Sequence, residues 1–486
     1  MNLREFLSGC MVFVLETSRS LVSKSRRFLS HGTRAQTVCR FSGSRRQAVE
    51  VEFTRPDQSS DGGVVLLQAI DRKLGLTHRL ASVLTDGRQS GKVKHPMLEL
   101  IRSRVFAIAC GYPDCNDLDT LRIDPVLRIV CGATEAPDVL ASQPTLSRLE
   151  NSVSRTDLLR AAYVLSDCVI ARQANRRGRR KVRRITIDMD STEDPTYGNQ
   201  QLTFFNAFYD NWCYLPMVTT LQFEDEPDHH LVAPVLRPGN AHGSLGAIAI
   251  MKRLLPRLRS TFPRAVIRVR LDGGFATPEV FDWLEEHDLR YVVNMPKNSV
   301  LNVLAESLMK EVRKRSAASG RTETAYTEAR YQAGKWDAPR RVVIKAEVVQ
   351  LEGREPRDNP RFVITNDKRS PKNVYRYYCK RGDMENRIKE LHYGLAFDRT
   401  SCSSFQANQF RNLLTAAAYV LFQGLRAAAA KTVYARAQVP TLRDRLIKIA
   451  VSLVESVRRF LLEGPASLPN RDDWFKVAIA CGAVGG

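Results

Sequence analysis

The sequence predicts an α/β layer that is flanked by helical regions. Between residues 185 and 293, short runs rich in β-branched residues alternate with one clear helical pattern. From Val64 to about Ile170, and again from Phe410, apolar residues recur at helical spacing. Because strands and helices bury their apolar faces against each other in layers, we expect a sheet at the centre of the chain.

Length and composition indicate a globular protein of several domains with a polyanionic partner. The chain has 486 residues, of which 43% are hydrophobic and 26% charged, as in ordinary globular proteins rather than fibrous or disordered ones. A chain of this length is expected to form about two to four domains. The formal charge of +22 favours a nucleic acid as the partner, although a merely basic protein would carry the same charge.

The cysteines and the amino-terminal residues predict a cytoplasmic protein without a membrane anchor. The ten cysteines are scattered singly with no C-x-x-C spacing, which indicates reduced thiols rather than a zinc site or a disulfide framework. The apolar stretch LSGCMVFVL lies between Glu5 and Glu16 and is too short to cross a bilayer.

Two regions precede the predicted sheet. Residues 1–60 are predicted to be a basic flexible extension that ends in the turn-forming run RPDQSSDGG. Residues 61–172 are predicted to be a helical DNA-binding region. Within it, Ser142 is placed to begin a short helix, QPTLSRLEN, that presents Arg148 to a partner as a recognition helix would. An ordinary surface helix is the alternative interpretation.

A run of basic residues, RQANRRGRRKVRR, joins the helical region to the first predicted strand. Its density of positive charge suits contacts with DNA phosphates, and its glycine suits a loop. We therefore expect Arg179, Arg180 and Lys181 to contact DNA, with a solvated linker as the alternative.

Carboxylates lie at the ends of two predicted strands. In RITIDMDST the period of two places Thr186, Asp188 and Asp190 on one face. Acids at the end of an apolar strand indicate either salt bridges to the nearby arginines or a bound cation. The strand VIRVRLD ends at Asp272, before two glycines that allow a sharp turn.

A third acid lies on a predicted helix, YCKRGDMENRIKELHYGL. At about 100° per residue, one narrow polar sector of this helix holds Tyr378, Arg381, Glu385, Lys389 and His392. Cationic and aromatic groups around a glutamate suit a DNA backbone, although the same spacing is typical of an ordinary i, i+4 ion-pair face.

The order of these residues resembles that of a known family. The sequence has an acid in D-x-T form at Asp190, an acid on a second strand at Asp272, and the pattern Tyr378-x-x-Arg381-x-x-x-Glu385. It is similar in this to the DDE transposases of bacterial insertion sequences that carry a Y-R-E signature, and within them to insertion-sequence family thirteen-eighty. The resemblance spans roughly residues 50–430 and includes GYPDCNDLDTLRIDP, SQPTLSRLEN, DMDSTEDPTYGNQ, FFNAFYDNWCYLP and LRPGNAHGS.

The resemblance implies an α/β fold with a ribonuclease-H-like catalytic core of the retroviral-integrase type. The core would comprise residues 173–296 and 372–430, and a β-rich insertion at 297–371 would separate the second and third acids. A C-terminal helical region at 431–486, with the helical run LRDRLIKIAVSLVESVRRFLL, would follow.

The resemblance also implies an enzyme that cleaves DNA at the ends of an insertion element and transfers the cut strands into target DNA. Asp190, Asp272 and Glu385 would be the catalytic residues. They would hold two Mg²⁺ or Mn²⁺ ions for phosphoryl transfer, with Asp188 as an alternative first ligand.

DNA contacts and partners are implied in the same way. Tyr378 and Arg381 would hold the scissile strand by its phosphates. The family usually has a lysine where this sequence has His392, and Lys389 lies in the same helical sector. The implied partners are double-stranded DNA, as terminal inverted repeats and as target, and a second copy of the chain in a synaptic homodimer.

Two other functions fit the same residues. One is a DNA-binding regulator of transposition without catalysis, and the three intact acids argue against it. The other is a metal-dependent nuclease that cuts DNA without rejoining it, and the long helical flanks argue against that.

Further motifs are interpreted as structural. FFNAFYDNWCYLP is expected to form the second core strand and its turn, and Trp336 is expected in the core, with base stacking as its alternative. His229 and His230 begin a predicted strand without zinc-ligand spacing, which favours structural roles for them.

Overall fold

The computed structural model describes residues 39–41, 49–133 and 139–484. The chain divides into two units, residues 1–55 and 56–486. In the first unit, β1 (Cys39–Phe41) pairs with β2 (Val49–Val51) in antiparallel register. Most of the predicted basic extension, at residues 1–38 and 42–48, lies outside the described residues.

Helices form the first part of the second unit, after the short strand β3 (Gln58–Ser59). They are α1 (Val64–Leu74), α2 (Leu76–Val83), α3 (Met97–Cys110), α4 (Leu118–Leu121), α5 (Pro125–Cys131), α6 (Gln143–Ser152) and α7 (Arg155–Arg177). The helical spacing predicted for this region is confirmed. Ser142 precedes α6 as predicted, and α7 begins with a capping box between Ser154 and Asp157.

Strands and helices follow in alternation. They are β4 (Arg184–Ser191), β5 (Asp194–Pro195), β6 (Phe204–Asn206), β7 (Asn211–Tyr214), β8 (Met217–Phe223), β9 (His229–Val235), α8 (Ala247–Thr261), β10 (Val266–Leu271), α9 (Pro278–Glu286) and β11 (Arg290–Met295). Next come α10 (Ser299–Ser319), β12 (Glu323–Tyr331), β13 (Arg340–Val349), β14 (Arg357–Asp358), β15 (Arg361–Thr365), α11 (Pro371–Cys379) and α12 (Gly382–Leu395). Then follow α13 (Phe405–Ala428), α14 (Val439–Leu442), β16 (Val451–Ser456), β17 (Arg459–Glu463) and α15 (Arg471–Ala480).

A mixed sheet lies at the centre of the second unit. Its strand order is β12-β13-β15-β11-β10-β4-β8-β9, with β14 paired to β13. β4, β10 and β11 are parallel, and the other neighbouring pairs are antiparallel. The strands β12, β13 and β15, which the sequence predicts as an insertion, extend this sheet beyond β11. Because parallel strands end at the same edge, the residues that follow β4 and β10 come together there.

One face of β4 belongs to the main apolar core. Ile185, Ile187 and Met189 are fully buried there, as the period of two predicts. The core also holds α13. The stretch Phe405–Lys431 is long and apolar enough for a membrane span, but 83% of its most apolar window is buried inside the protein. Such burial is typical of a core helix.

The other face of β4 carries a buried polar layer. Arg270 on β10 donates to both carboxylate oxygens of Asp188, at 2.6 and 2.8 Å, and to the backbone carbonyl of Tyr377 on α11 at 2.9 Å. The Tyr377 hydroxyl lies 2.8 Å from that of Thr186, and its ring contacts the guanidiniums of Arg268 and Arg270. This layer fixes α11 on the sheet, because an unpaired buried charge would be costly.

The C-terminal region is not all helical, so the helix predicted over residues 442–462 is wrong in its second half. There β16 and β17 form a hairpin, and β16 also pairs with β3 at the start of the unit. A Cβ at Gly63 would lie 1.7 Å from the carbonyl oxygen of Leu446, so the glycine allows a close approach of the two segments. The valines of the hairpin suit a strand, and the pairing with β3 is a long-range contact that local periodicity does not reveal.

Removing one partner of the buried Asp188–Arg270 pair should destabilise the protein. We expect Arg270→Met to lower the free energy of unfolding by about 3–5 kcal/mol, because Asp188 then keeps a buried charge without its arginine. The double variant Asp188→Leu/Arg270→Met should recover most of this loss, because it leaves no unpaired charge. Urea unfolding followed by circular dichroism measures both effects.

Arg313→Met provides the control. It removes ion pairs with Glu306 at 2.8 Å and with Asp358 at 2.6 Å, in which the side chains of Arg313, Glu306 and Asp358 are 41%, 45% and 42% exposed. Each such surface pair contributes no more than about 1 kcal/mol. Equal losses for Arg270→Met and Arg313→Met would contradict the structural role of the buried pair.

Candidate functional site

Three carboxylates meet at one edge of the central sheet. Asp190 lies near the end of β4, and Asp272 directly follows the parallel neighbour β10. Glu385 lies in the first turn of α12. The side chain of Asp190 is only 12% exposed, whereas that of Glu385 is 58% exposed. The acids therefore stand between the interior and the surface, where a ligand can reach them.

The guanidinium of Arg381 joins the three acids. Its Nη2 lies 2.7 Å from Asp190 and 3.2 Å from Asp272, and its Nη1 lies 3.7 Å from Glu385. Arg381 and Glu385 are about one helical turn apart, so their side chains are neighbours. The structure thus brings together the three acids and the arginine that the sequence singles out.

Burial makes the carboxylate of Asp190 difficult to ionise. Loss of contact with water raises its pKa to about 7; Arg381 opposes this, and the neighbouring charges of Asp272 and Glu385 add to it. One guanidinium supplies one positive charge to three acids. When all three acids are ionised, the site carries an excess of negative charge that favours a cation.

The donor set suits a hard divalent cation. Carboxylate oxygens are the ligands that Mg²⁺ and Mn²⁺ prefer, and the excess of negative charge would attract such an ion. Among the residues that the structure describes, no group of three acids, histidines or cysteines lies close enough to enclose a metal ion. Arg381 occupies the point on which the acids converge, so binding an ion there requires the guanidinium to move.

Asp188 is placed differently from Asp190, although both lie on the same face of β4. It is fully buried, paired with Arg270, and 3.4 Å from Nδ1 of His229. Its carboxylate has no exposed surface for a ligand, so the geometry favours Asp190 as the ligand-binding acid of this strand. The salt-bridge interpretation of the strand holds for Asp188.

Arg237 has a positioning role that the sequence did not reveal. Its guanidinium is buried and donates to Oγ of Ser191, the residue after Asp190, at 2.6 Å. It also donates to the backbone carbonyls of Leu215, His242, Gly243 and Leu245. Arg237 therefore ties the loop between β9 and α8 to the strand that carries the first acid.

The same loop packs against the turn that follows β10. A Cβ at Gly243 would lie 2.8 Å from the carbonyl oxygen of Gly274, so the two backbones touch. The amide of Gly274 in turn donates to Oδ1 of Asp272 at 2.9 Å. This contact orients the second acid. The stretch LRPGNAHGS was the only signal in the sequence for Arg237 and Gly243.

His392 makes internal contacts in the site. Its Nε2 lies 3.0 Å from Oγ1 of Thr192, and its Nδ1 lies 3.5 Å from Asp398. The histidine thereby ties α12 to the D-x-T stretch of β4. Tyr378 lies in the same region, where burial raises its pKa to about 12, and Lys389 is exposed on α12.

The other basic residues predicted as DNA contacts lie away from the acids. Arg148 is exposed on α6. Arg179, Arg180 and Lys181 are exposed in the turn between α7 and β4. Because β4 runs from this turn towards Asp190, the turn and the acids lie at opposite edges of the sheet.

The aromatic stretch FFNAFYDNWCYLP does not form the second core strand, so this prediction is wrong. The second core strand is β8, whereas β5, β6 and β7 form a small separate sheet. Phe205 and Trp212 face each other across β6 and β7 and are 47% and 55% exposed. Phe208, in the turn between these strands, is 87% exposed. Aromatic residues at strand-like spacing give the same sequence pattern whether the strand face that carries them is buried or exposed. The sequence pattern therefore does not distinguish a core strand from this exposed hairpin.

Trp336 and the two histidines are buried. Trp336 packs against Phe281, with ring centroids 5.1 Å apart, as a core residue does. His230 bonds Arg172 through its ring nitrogen at 3.0 Å, and His229 lies beside Asp188. These contacts agree with the structural roles that the sequence predicts for them.

The sequence matches a known family over most of its length. The family described as transposase DDE domain group 1 matches residues 41–480. The matched range includes the three acids and Arg381. No curated protein matches the sequence.

The stability of the metal-free protein should depend on pH through Asp190. The pKa of this acid is about 7 when folded against an ordinary 3.8, so the folded state binds the proton more tightly than the unfolded chain. Proton binding to Asp190 therefore stabilises the folded state. This stabilisation is complete at low pH and is lost as the pH rises towards 7. We expect Asp190→Asn, which cannot ionise, to be more stable than the parent at pH 8 by on the order of 1–3 kcal/mol.

Urea unfolding in EDTA at pH 5.5 and pH 8 measures the free energy of unfolding of both proteins. The advantage of Asp190→Asn over the parent should be smaller at pH 5.5 than at pH 8. Asp337→Asn, at an exposed acid, provides the control. A difference between Asp190→Asn and the parent that is equal at both pH values would contradict the prediction.

Proposed function

The chain belongs to the DDE transposase family, and we propose that it cleaves DNA at the ends of an insertion element and joins those ends to target DNA. Family membership rests on the match over residues 41–480. The observation that carries the proposed chemistry is the convergence of Asp190, Asp272 and Glu385 on one cationic group at the edge of the sheet.

The sheet supports a ribonuclease-H-like core at residues 173–296 and 372–430. β9, β8 and β4 are successive antiparallel neighbours, and β10 and β11 continue the sheet parallel to β4. The first acid lies on the central strand β4 and the second follows its parallel neighbour. The third lies on a helix that packs across these strands. An insertion at 297–371 separates the last two acids.

The three acids are the proposed ligands for divalent ions, which DDE transposases generally use. Two Mg²⁺ or Mn²⁺ ions would activate the attacking water or 3′ hydroxyl and stabilise the leaving oxygen. Asp190 can bind a cation only after it loses its proton, and its raised pKa makes that step sensitive to pH near neutrality. Glu385, the most exposed of the three acids, is free to turn towards the ligand.

Arg381 is proposed to hold the scissile strand once the acids are neutralised by a cation. A guanidinium donates forked hydrogen bonds to phosphate oxygens, and this arginine already lies among the acids that would flank the phosphate. Tyr378 interacts with Arg381, and the exposed Lys389 lies one turn beyond Glu385 on α12. Both would extend the contact along the strand. His392 would act through Thr192 as a positioning residue.

Double-stranded DNA, as terminal inverted repeat and as target, is the proposed substrate. The formal charge of +22 supports a polyanionic partner. A homodimer on paired DNA ends is proposed from the sequence likeness to Y-R-E transposases.

Cleavage should require each of the three acids. In Mg²⁺, the parent should cut a labelled duplex at the boundary of the element's terminal repeat. Asp190→Asn, Asp272→Asn and Glu385→Gln should each lower the cleavage rate by at least about 100-fold, because each removes a charged metal ligand. Gel-shift measurements should show that all three variants still bind the duplex.

Asp383→Asn is the matched control, because Asp383 lies in the same first turn of α12 as Glu385 but is not among the acids that pair with Arg381 in the described part of the chain. It should cut at the parental rate. A parent that binds the repeat but never cuts it in Mg²⁺ or Mn²⁺ would be a regulator instead. One that cuts without joining would be a nuclease.

Replacing Arg381 should have opposite effects on the response to Mn²⁺ and on DNA cleavage. Arg381→Met leaves the acids without a cationic partner, so the metal-free variant should melt at a lower temperature than the parent. Mn²⁺ should raise its melting temperature more than that of the parent, because no guanidinium competes with the ion. Cleavage should nevertheless be lost, because the phosphate lacks its donor.

Differential scanning fluorimetry over a series of Mn²⁺ concentrations, with a cleavage assay, measures both effects. Arg376→Met on the exposed side of α11 is the control and should behave as the parent in both assays. A parental response of Arg381→Met to Mn²⁺ would show that the guanidinium does not compete with the ion.

A further inference from the structure

The C-terminal hairpin has an open edge. β17 (Arg459–Glu463) is the last strand of the small sheet β17-β16-β3, and among the described residues it pairs with β16 alone. The unpaired amides and carbonyls of such an edge attract another strand, unless a proline, a bulge or a covering segment blocks them. The sequence of β17, RFLLE, has no proline, and its five residues pair with β16 in unbroken register. The edge is therefore open to a further strand.

The turn of the hairpin decides which backbone groups face this edge. Ser456 and Arg459 are paired and enclose a two-residue turn. The closing pair of such a turn exchanges backbone hydrogen bonds, and bonded and non-bonded pairs alternate from there. The Ser456 hydroxyl also donates to the Arg459 carbonyl at 3.1 Å, so this carbonyl faces β16. Phe460 and Leu462 consequently direct their amides and carbonyls to the open edge.

Both faces of the hairpin carry apolar side chains with exposed area. Phe460 is 41% and Val454 is 45% exposed, and Leu461 and Leu462 are half-buried. Val454 and Leu461 lie opposite each other on one face, whereas Phe460 and Leu462 lie on the other. A further strand beside β17 would bury apolar area on each face.

The two charged residues of β17 have no acidic or basic partner within the chain. Arg459 and Glu463 are exposed, and neither forms an ion pair in the described part of the chain. The residues opposite them on β16 are the neutral Ser456 and Ser452. Along the strand they are about 13 Å apart, so they do not pair with each other. A second strand of the same sequence, running antiparallel, would bring an acid to the arginine and an arginine to the acid.

One register of such self-pairing satisfies both the backbone and the charges. Residues whose backbone groups face the open edge must lie opposite one another. Phe460 can therefore face the partner's Phe460 or the partner's Leu462, or Leu462 can face the partner's Leu462. Phe460 opposite the partner's Leu462 is the register that pairs all five residues of β17. It places Arg459 opposite the partner's Glu463, and Leu461 opposite the partner's Leu461 on a two-fold axis.

We propose that β17 is a homodimer interface, at which the open edges of two copies pair antiparallel about Leu461 and join their small sheets into one. Backbone hydrogen bonds lie on both sides of the axis, and Arg459 forms an ion pair with the partner's Glu463 at each end. Pairing closes both edges, so assembly stops at two copies. The inference gives a surface to the homodimer on paired DNA ends, and it rests on the proposed function in that respect alone.

Charge reversal tests the ion pairs. Multi-angle light scattering over a concentration series, without DNA, should show the parent approaching twice the 54.8 kDa of one chain. Arg459→Glu should raise the dissociation constant of the dimer by at least about tenfold, because two attractive pairs become two repulsive ones. Arg459→Glu/Glu463→Arg should restore the parental value, because the pairs form again with their charges exchanged.

Arg458→Glu makes the same charge change in the exposed turn beside β17 and is the matched control. It should dimerise as the parent does. A parent that keeps the mass of one chain at every concentration would overturn the proposal. Equal dissociation constants for Arg459→Glu and Arg458→Glu would also overturn it, and so would a double variant no tighter than Arg459→Glu.

A cysteine on the axis tests the register. Opposite Cα atoms of a non-hydrogen-bonded antiparallel pair are about 4.5 Å apart, which a disulfide can span. On oxidation with copper phenanthroline, Leu461→Cys should form a covalent dimer well above the parental background from the exposed Cys39 and Cys379. Val457→Cys, in the exposed turn, should stay at that background, because the two copies of residue 457 lie roughly 25 Å apart along the paired strands. Equal crosslinking of both variants would contradict the register.

The outcomes distinguish this proposal from the proposed catalytic function. Asp190→Asn should dimerise as the parent does, because Asp190 lies on the central sheet and not on the small sheet that carries β17. If the acid variants still cut DNA but Arg459→Glu is monomeric, the catalytic assignment fails and the interface stands. If the acid variants fail to cut but Arg459→Glu dimerises as the parent does, the catalytic assignment stands and the interface fails.

Discussion

The buried ion pair between Asp188 and Arg270 fixes the position of α11, and through it that of α12, the helix that carries Glu385. It joins two parallel strands on one face of the sheet and reaches the backbone carbonyl of Tyr377 through the same guanidinium. α11 is thereby fixed on the sheet, and α12, which follows directly, brings Arg381 and Glu385 to the ends of the strands. Without this ion pair, the position of Glu385 relative to Asp190 and Asp272 would not be fixed.

The same strand shows how burial assigns different roles to identical side chains. Asp188 and Asp190 are two residues apart on one face of β4, yet one is enclosed with an arginine that has no access to solvent and the other meets Arg381 at the rim. Because both side chains of this pair are fully buried, it cannot exchange partners with a ligand. At the rim a guanidinium and an external cation can compete, so the position along the strand decides which acid is available for chemistry.

Charge is segregated along the direction of the parallel strands. The acids lie where β4 and β10 end, and Arg184, Arg264 and Arg290 lie at or just before the starts of β4, β10 and β11. One end of the sheet therefore attracts cations and the other attracts polyanions.

The sequence by itself determined the helices of the first half and the alternation of β4, because these depend on periodicity within one element. Residue order and the family resemblance singled out the three acids and Arg381, which lie on separate elements that only the fold brings together. Tertiary structure decided which contacts span the chain. It paired β16 with β3 where the sequence predicts a helix, left the aromatic hairpin of β6 and β7 exposed, and gave Arg237 its acceptors. Long-range pairing and burial depend on residues far apart in the chain, and local periodicity carries no information about them.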